Sequence, residues 1–217
     1  NFLGVLAKVD VSALLEAGRA FQQAVYAARD SAMFMTNWPE RPTRIDGVMF
    51  GSRGDDVYTN ADLLILDPAG DDTYSADAGS ANGLQGRPLA AIVDLAGNDR
   101  YIGDRGVGPG AAVFGAAVLL DCGGDDVYHA KYVGQASAFF GVGWLEDVSG
   151  RDTYRAQAHS QAAGYGGVGY FRDAAGNDLY DVGFSGQAYA GVMGVGLLVD
   201  AAGNDRYFAG GVEHDYE

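Results

Sequence analysis

The sequence predicts an all-β fold: a right-handed parallel β-helix (β-solenoid) with 26–27-residue coils and an N-terminal α-helical cap. Three observations predict this fold. The phrase Asp-x-x-Gly-x-Asp-x-Tyr, which we call the motif, occurs six times, and its glycines lie 26 or 27 residues apart. The 34 glycines of the 217-residue chain also recur with the repeat. A fixed period in this range is typical of solenoid proteins, in which each repeat stacks on its neighbours.

The chain divides into two regions, an N-terminal helix and connector over residues 1–47 and a solenoid repeat domain over residues 48–217. Within residues 10–36, apolar side chains return at helical spacing, and Asp10 is a suitable N-cap. An open solenoid end needs a cap, so we expect this helix to cover the first coil. The alternative is a helix that docks a partner or an upstream domain. Two prolines in residues 37–47 end the helix and favour an extended connector.

Side-chain alternation predicts which residues of each coil point inward. The position just before the first motif Asp is Glu146 in one coil and Arg172 in another, so this position faces water and the Asp points inward. Arg100 and Arg206 directly precede the motif Tyr, which places that Tyr and the second motif Asp inward as well. Three sides of about nine residues fit a coil of this length best. A flattened two-sided roll is the alternative.

The inward Asp residues predict cation binding. Equivalent residues of successive coils stack about 4.8 Å apart, and partly desolvated like charges at that distance are unfavourable. Ca²⁺ binds six to eight carboxylate and carbonyl oxygens, whereas the softer metals need His or Cys ligands, which do not recur here. We therefore expect several calcium ions between coils, with these candidate ligands: Asp56, Asp67, Asp72, Asp94, Asp99, Asp121, Asp126, Asp147, Asp152, Asp173, Asp178, Asp200 and Asp205. The alternative is that each Asp only forms a turn and accepts hydrogen bonds from backbone N–H groups.

Part of the motif resembles a known repeat. Gly124-Asp125-Asp126-Val127-Tyr128 and Gly97-Asn98-Asp99-Arg100-Tyr101 are similar to the second half of the calcium-binding nonapeptide Gly-Gly-x-Gly-x-Asp-x-U of RTX, or haemolysin-type, proteins. The resemblance covers residues 54–207 but only about one nonapeptide in three, and Asp replaces the first Gly of the family pattern. It implies calcium in the turns and a divergent 26–27-residue repeat of this kind.

Charge and composition exclude several classes of protein. The net charge of −15 comes from 14 basic and 29 acidic residues, and it repels nucleic acid and anionic lipid while attracting cations. A single cysteine, Cys122, rules out an internal disulfide framework, and no apolar run reaches transmembrane length. We therefore expect no nucleic-acid partner and no membrane insertion. Low cysteine content is compatible with secretion, and we expect an extracytoplasmic location for a calcium-stabilised solenoid.

These features together predict a non-catalytic, calcium-stabilised scaffold or interaction module within a larger protein or assembly. Catalysis needs one coil that differs from the others, and the repeats show no such coil and no catalytic residue. The last coil stops without a polar cap, so we expect a protein partner, self-association or further sequence there. The alternative is a carbohydrate-active β-helix enzyme, a hydrolase or a lyase. Outward residues such as Trp144, Tyr170, Arg100 and Arg206 could contact carbohydrate.

Overall fold

The computed structural model describes residues 10–210, which wind into three sheets of stacked strands. Sheet A contains β1 (Thr43–Ile45), β2 (Val48–Phe50), β4 (Leu64–Asp67), β7 (Leu89–Asp94), β10 (Ala116–Asp121), β13 (Val142–Asp147), β16 (Val168–Asp173) and β18 (Val195–Asp200). Sheet B contains β3 (Val57–Tyr58), β5 (Thr73–Ser75), β8 (Arg100–Gly103), β11 (Val127–Ala130), β14 (Thr153–Ala158), β17 (Leu179–Phe184) and β19 (Arg206–Ala209). Sheet C contains β6 (Ala81–Asn82), β9 (Ala112–Val113), β12 (Ala138–Phe139) and β15 (Gly164–Tyr165).

Each coil passes from sheet A through the motif turn to sheet B and then towards sheet C, which confirms the predicted β-solenoid. A short coil comprises β2 and β3, and coils 1 to 6 begin at β4, β7, β10, β13, β16 and β18. Apart from the antiparallel pair of β1 and β2, neighbouring strands pair in parallel. Because each full coil has a third side, which carries sheet C, the solenoid is three-sided and is not a flattened two-sided roll.

The motif copies stack in register. In sheet A, Asp121 pairs with Asp94 on one side and with Asp147 on the other. In sheet B, Tyr128 pairs in the same way with the motif Tyr of coils 2 and 4. A 26–27-residue coil therefore brings every motif position directly above its equivalent, and the two predicted Asp columns exist in the structure.

The core between the sheets consists of inward residues from sheets A and B. Ile92, Leu119 and Leu145 represent the column from sheet A, and all three are fully buried. The motif tyrosines stack face to face, with ring centroids 4.8 Å apart between Tyr74 and Tyr101. Stacked aromatic pairs stabilise a protein by about 0.5–1.5 kcal/mol each beyond the area they bury. The predicted inward parity of the motif Asp and Tyr residues is confirmed.

Helix α1 (Val11–Ala32) lies across the outer face of sheet A, where it contacts β4, β7, β10 and β13. Its N-cap is Asp10, whose side chain accepts a hydrogen bond from the N–H of Ala13 at 3.0 Å. The helix thus covers four coils, more than the first coil expected from the sequence. The reason is that Leu66, Val93 and Leu120 make the outward positions of the first three coils apolar. In coils 4 and 5 the same position carries charged residues, Glu146 and Arg172.

Gly18 allows the helix to approach the sheet closely. A Cβ atom at this position would lie 2.5 Å from Cγ2 of Val142 in β13, which is closer than real Cβ contacts. A glycine inside a helix costs about 0.5–1 kcal/mol relative to alanine, and here the close packing offsets that cost. No helix within residues 10–210 is both long and apolar enough to span a membrane.

The predicted connector contributes a strand of its own. Its strand β1 pairs with β2 in antiparallel register, with Thr43 opposite Phe50. The pairing satisfies the exposed backbone groups at this edge of sheet A. Arg44 of β1 also forms a bidentate ion pair with the buried carboxylate of Asp62. Residues 33–47 therefore connect the helix to the solenoid and also cover the edge of its first sheet.

Candidate metal centres at the motif corners

The second Asp of each motif links neighbouring coils through the backbone. The N–H of Asp72 donates to Oδ1 of Asp99 at 2.6 Å, and the N–H of Asp99 donates to Oδ1 of Asp126 at 2.6 Å. The same bond continues through the later coils. The other carboxylate oxygen, Oδ2, is buried without a hydrogen-bond partner within residues 10–210 in Asp72, Asp99, Asp126, Asp152 and Asp178.

The first Asp of each motif is held by its own turn and by a tyrosine. Oδ1 of Asp94 accepts the backbone N–H of Ala96 at 3.0 Å, which is an Asx-type turn. Oδ2 of Asp94 accepts the hydroxyl of Tyr74, in the preceding coil, at 2.5 Å. Equivalent tyrosine bonds run from coil 2 to coil 3 and from coil 3 to coil 4. The motif Tyr therefore packs in the core and also orients a carboxylate of the next coil.

Five groups of three carboxylates result from this stacking, and we call them the corner clusters. Each contains the second Asp of one coil together with both motif Asp residues of the next coil, and its ligand atoms lie within 4.8 Å of one another. The clusters are Asp56–Asp67–Asp72, Asp72–Asp94–Asp99, Asp99–Asp121–Asp126, Asp126–Asp147–Asp152 and Asp152–Asp173–Asp178. The structure thus unites eleven of the thirteen predicted ligands. Asp200 and Asp205, in coil 6, belong to none of these clusters.

The motif glycines bring backbone carbonyl oxygens beside the corner clusters. A Cβ atom on Gly97 would lie 1.8 Å from the carbonyl oxygen of Gly70 and 2.7 Å from Oδ1 of Asp99. A Cβ atom on Gly124, which has a φ of +155°, would lie 1.4 Å from the carbonyl oxygen of Gly97. No larger residue fits these positions. Each corner therefore presents carbonyl oxygens close to carboxylate oxygens.

Burial makes the ionised carboxylates of the corner clusters unfavourable. Desolvation raises the pKa of Asp72 to about 6, of Asp99 to about 7 and of Asp152 to about 8. The pKa of Asp126 rises to about 10, first through desolvation and then through the charge of Asp121. Carboxylates this close together cannot all be ionised unless something neutralises them. Either protons or cations must therefore occupy the corners at neutral pH.

The corner clusters fit a hard cation such as Ca²⁺. Their side-chain donors are all Asp carboxylate oxygens, buried except in the half-buried Asp56, and at least one Asp in every cluster has an unpartnered Oδ2. Calcium prefers carboxylate and carbonyl oxygens, and the corners supply both kinds. Hydrogen bonds from backbone N–H groups, the alternative explanation for the repeated Asp, are present but use only one oxygen of each second Asp.

The residue between the motif Gly and the second Asp also links neighbouring coils, a role not predicted from the sequence. The N–H of Asn98 donates to Oδ1 of Asp71 at 2.9 Å, and the N–H of Asp125 donates to Oδ1 of Asn98 at 2.9 Å. We call this row of exposed residues the surface ladder. The signal was available, because five of the six motif copies carry Asp or Asn at this position. The sixth copy carries Arg151.

Other residues singled out in the sequence lie apart from the corner clusters. Trp144 and Tyr170 stack on each other on the outer face of sheet A, with ring centroids 3.9 Å apart. Arg206 lines a groove on sheet B, whereas Arg100 lies farther along the same sheet. Cys122 is a free thiol, and burial raises its pKa to about 11. A raised pKa favours the protonated thiol at neutral pH, which disfavours a nucleophilic role.

Comparisons with known proteins add no family to this geometry. No protein-family model, no curated protein and no solved structure matches the chain. Functional inference for this chain therefore rests on its own residues.

Proposed function

We propose that this chain is a non-catalytic β-solenoid stabilised by several calcium ions bound between its coils. It serves outside the cytoplasm as a structural scaffold or interaction module within a larger protein or assembly. The observation that carries the proposal is the set of buried, unpartnered Oδ2 atoms, at least one of which belongs to every corner cluster. A buried polar atom without a partner is rare in native proteins and indicates an ion or a water.

A cation at a corner would stabilise the stacked form specifically. Its ligands come from two successive coils, for example Asp99 from coil 2 with Asp121 and Asp126 from coil 3. An extended chain does not bring these carboxylates together, so the ion binds the folded state alone and stabilises it by mass action. Calcium suits the corners better than magnesium, because Mg²⁺ demands near-ideal octahedral geometry and usually keeps several waters.

The use of the acidic residues supports a scaffold, and the affinity of comparable calcium sites supports a location outside the cytoplasm. The repeated Asp residues are buried at 0–2% exposure through coils 1 to 5, where they hold coils together. Extracellular calcium modules bind calcium with Kd values of about 10⁻⁴–10⁻³ M, at which cytosolic calcium would leave the sites empty. Apolar side chains of the later coils support contact with a protein or with a second copy, since Val192 is 84% exposed and Met193 is 75% exposed.

Calorimetric titration of calcium into chelator-stripped protein tests the proposal. We expect binding heat, about one ion for each of the five corner clusters by elemental analysis, and a rise in melting temperature. Each independent site contributes about 2.7 kcal/mol when free calcium exceeds Kd a hundredfold. Magnesium in a parallel titration serves as the comparison and should bind more weakly. Absence of binding heat together with an unchanged melting curve would show that protons and hydrogen bonds alone neutralise the corners.

A further inference from the structure

A groove of about 440 Å³ runs across the outer surface of coils 4 to 6. It lies between two rows of side chains, the surface ladder and the outward residues at the start of the sheet B strands. The lining residues are Arg151, Asp152, Thr153, Asn177, Asp178, Leu179, Asn204 and Arg206. Because β14, β17 and β19 form its floor, one strand from each coil passes beneath the groove.

The charge of these two rows changes along the solenoid. In coils 1 and 3 the surface ladder carries Asp71 and Asp125, whereas in coils 4 to 6 it carries Arg151 and two asparagines. Arg206 adds a second guanidinium at the coil 6 end of the groove. Neither arginine side chain forms an ion pair within residues 10–210. The lining also contains Asp152 and Asp178, which are buried, so the two arginines give the groove an excess of positive charge once a cation or a proton neutralises these carboxylates.

Arg151 also breaks the surface ladder. Its N–H donates to Oδ1 of Asp125 at 2.9 Å, but its guanidinium has no oxygen to accept a bond from the next coil. The ladder resumes one coil later, where the N–H of Asn204 donates to Oδ1 of Asn177 at 3.1 Å. Arg151 therefore lacks the hydrogen bond from the next coil that ladder residues such as Asp125 accept, and no other polar contact within residues 10–210 replaces it. A departure of this kind from a regular repeat indicates a functional position.

We propose that this groove binds an acidic oligosaccharide, such as a chain of uronic acid units, whose carboxylates pair with Arg151 and Arg206. A guanidinium matches the geometry of a carboxylate and binds it through two parallel hydrogen bonds. Between the arginines, the Nδ2 group of Asn177, Oδ1 of Asn204 and the hydroxyl of Thr153 can bond to sugar hydroxyls, while Oδ1 of Asn177 already accepts from Asn204. The inference requires that Asp152 and Asp178, which line the groove, are neutralised, and it holds whether a cation or a proton does so.

A saccharide fits the groove better than an acidic peptide does. Extended peptides gain affinity by adding a strand to an exposed sheet edge. The groove lies across the face of its strands and not along an edge: β17 is bonded to β14 on one side and to β19 on the other, and β19 is the last strand of sheet B within residues 10–210. Leu179 is the single apolar side chain in the lining, so the groove has no pocket for the apolar anchors of a peptide.

Titration calorimetry with a galacturonic acid hexamer tests the assignment. The titration is run in buffer that keeps the protein calcium-loaded, and the heat of injecting the hexamer into the same buffer without protein is subtracted. We expect the hexamer to bind, and both the neutral hexamer of β-1,4-linked glucose and a six-residue polyglutamate to bind at least tenfold more weakly. An undetectable affinity for the uronate would overturn the proposal. Equal binding of the neutral sugar or of polyglutamate would overturn the assignment to an acidic saccharide.

Three variants separate the groove from general charge effects. Arg151→Asn restores the ladder residue used in coils 2, 5 and 6, and Arg206→Thr restores the residue found at its position in coils 1 and 4. Each should weaken uronate binding about tenfold or more, as expected for loss of a charge-assisted bond. Arg151→Asn should keep or raise the melting temperature, which shows that the loss is not unfolding. Arg100→Thr changes the same position in coil 2, outside the groove, and an equal loss there would overturn the site.

Discussion

Replacement of Asp126 by Asn tests the cation proposal most sharply, because Asp126 belongs to two of the five corner clusters. The amide keeps an oxygen at Oδ1 that can accept the N–H of Asp99, a bond of 2.6 Å in the native protein. It removes the negative charge and the unpartnered Oδ2. The substitution therefore changes the ligand set of two clusters while it preserves the backbone connection between coils.

The expected effect has opposite signs with and without calcium. At a hundredfold excess of calcium over Kd, loss of two independent sites costs about 5.4 kcal/mol, at about 2.7 kcal/mol for each site. For a protein of 150–250 residues, a change of 1 kcal/mol shifts the melting temperature by about 2–4 °C, so we expect Asp126→Asn to lower it by about 10–20 °C. In chelator the same variant should be at least as stable as the native protein, because a buried carboxyl with a pKa of about 10 is gone.

The assay is thermal unfolding in calcium and in chelator at pH 8, combined with elemental analysis of bound calcium. Asp125→Asn is the matched control, because Asp125 is exposed in the same turn and its amide can still accept the N–H of Arg151. The control should change neither the melting temperature nor the number of bound ions. Equal destabilisation of Asp126→Asn in both buffers would refute the reasoning, and so would an unchanged calcium content.

Three further predictions concern pH, the helix and the tyrosines. In the folded, calcium-free protein, carboxyls such as Asp99 have a pKa of about 7 and keep their protons, whereas in the unfolded chain they lose them near pH 4. The free energy of unfolding of the calcium-free protein should therefore fall as the pH rises from about 4 to 8. Melting temperatures in calcium and in chelator should therefore converge in acid and diverge above about pH 6; parallel curves would contradict this. Gly18→Leu should overpack against Val142, reduce the free energy of unfolding by about 1–3 kcal/mol and so lower the melting temperature. Ala17→Leu, on the exposed side of the helix, should not lower it. Tyr74→Phe leaves Oδ2 of buried Asp94 without its donor and should cost about 1–3 kcal/mol in urea unfolding, against little change for the exposed Tyr132→Phe.

The sequence predicted the solenoid and the inward Asp columns because both depend on simple periodicities. A coil of constant length aligns Asp94 with Asp121, and alternation along a strand then decides which way each side chain points. Charged residues such as Arg172 show which positions of a strand face solvent, and no knowledge of the tertiary structure is needed for this. The corner clusters follow directly from these two facts.

Other features depend on geometry that no period specifies. The reach of the Tyr74 hydroxyl to Asp94 of the next coil depends on how far one sheet is staggered against another. The position of α1 depends on the outward residues of coils 1 to 3, and the signal was present in Leu66, Val93 and Leu120. That signal lies in the comparison of one outward position between coils, whereas alternation within a strand shows only which side chains point outward. The groove likewise depends on Arg151, a single departure from an otherwise regular row.

The position of α1 affects how stability is distributed among the coils of the solenoid. In a simple solenoid each coil contacts only its neighbours, so opening propagates one interface at a time. Helix α1 contacts strands of four successive coils, β4 to β13, and therefore couples coils 1 to 4 into one cooperative unit. Coils 5 and 6 lie beyond these contacts and depend on their own interfaces. The solenoid thus has one segment stabilised by the helix, coils 1 to 4, and one that is not, coils 5 and 6. Slow amide exchange would be concentrated in coils 1 to 4.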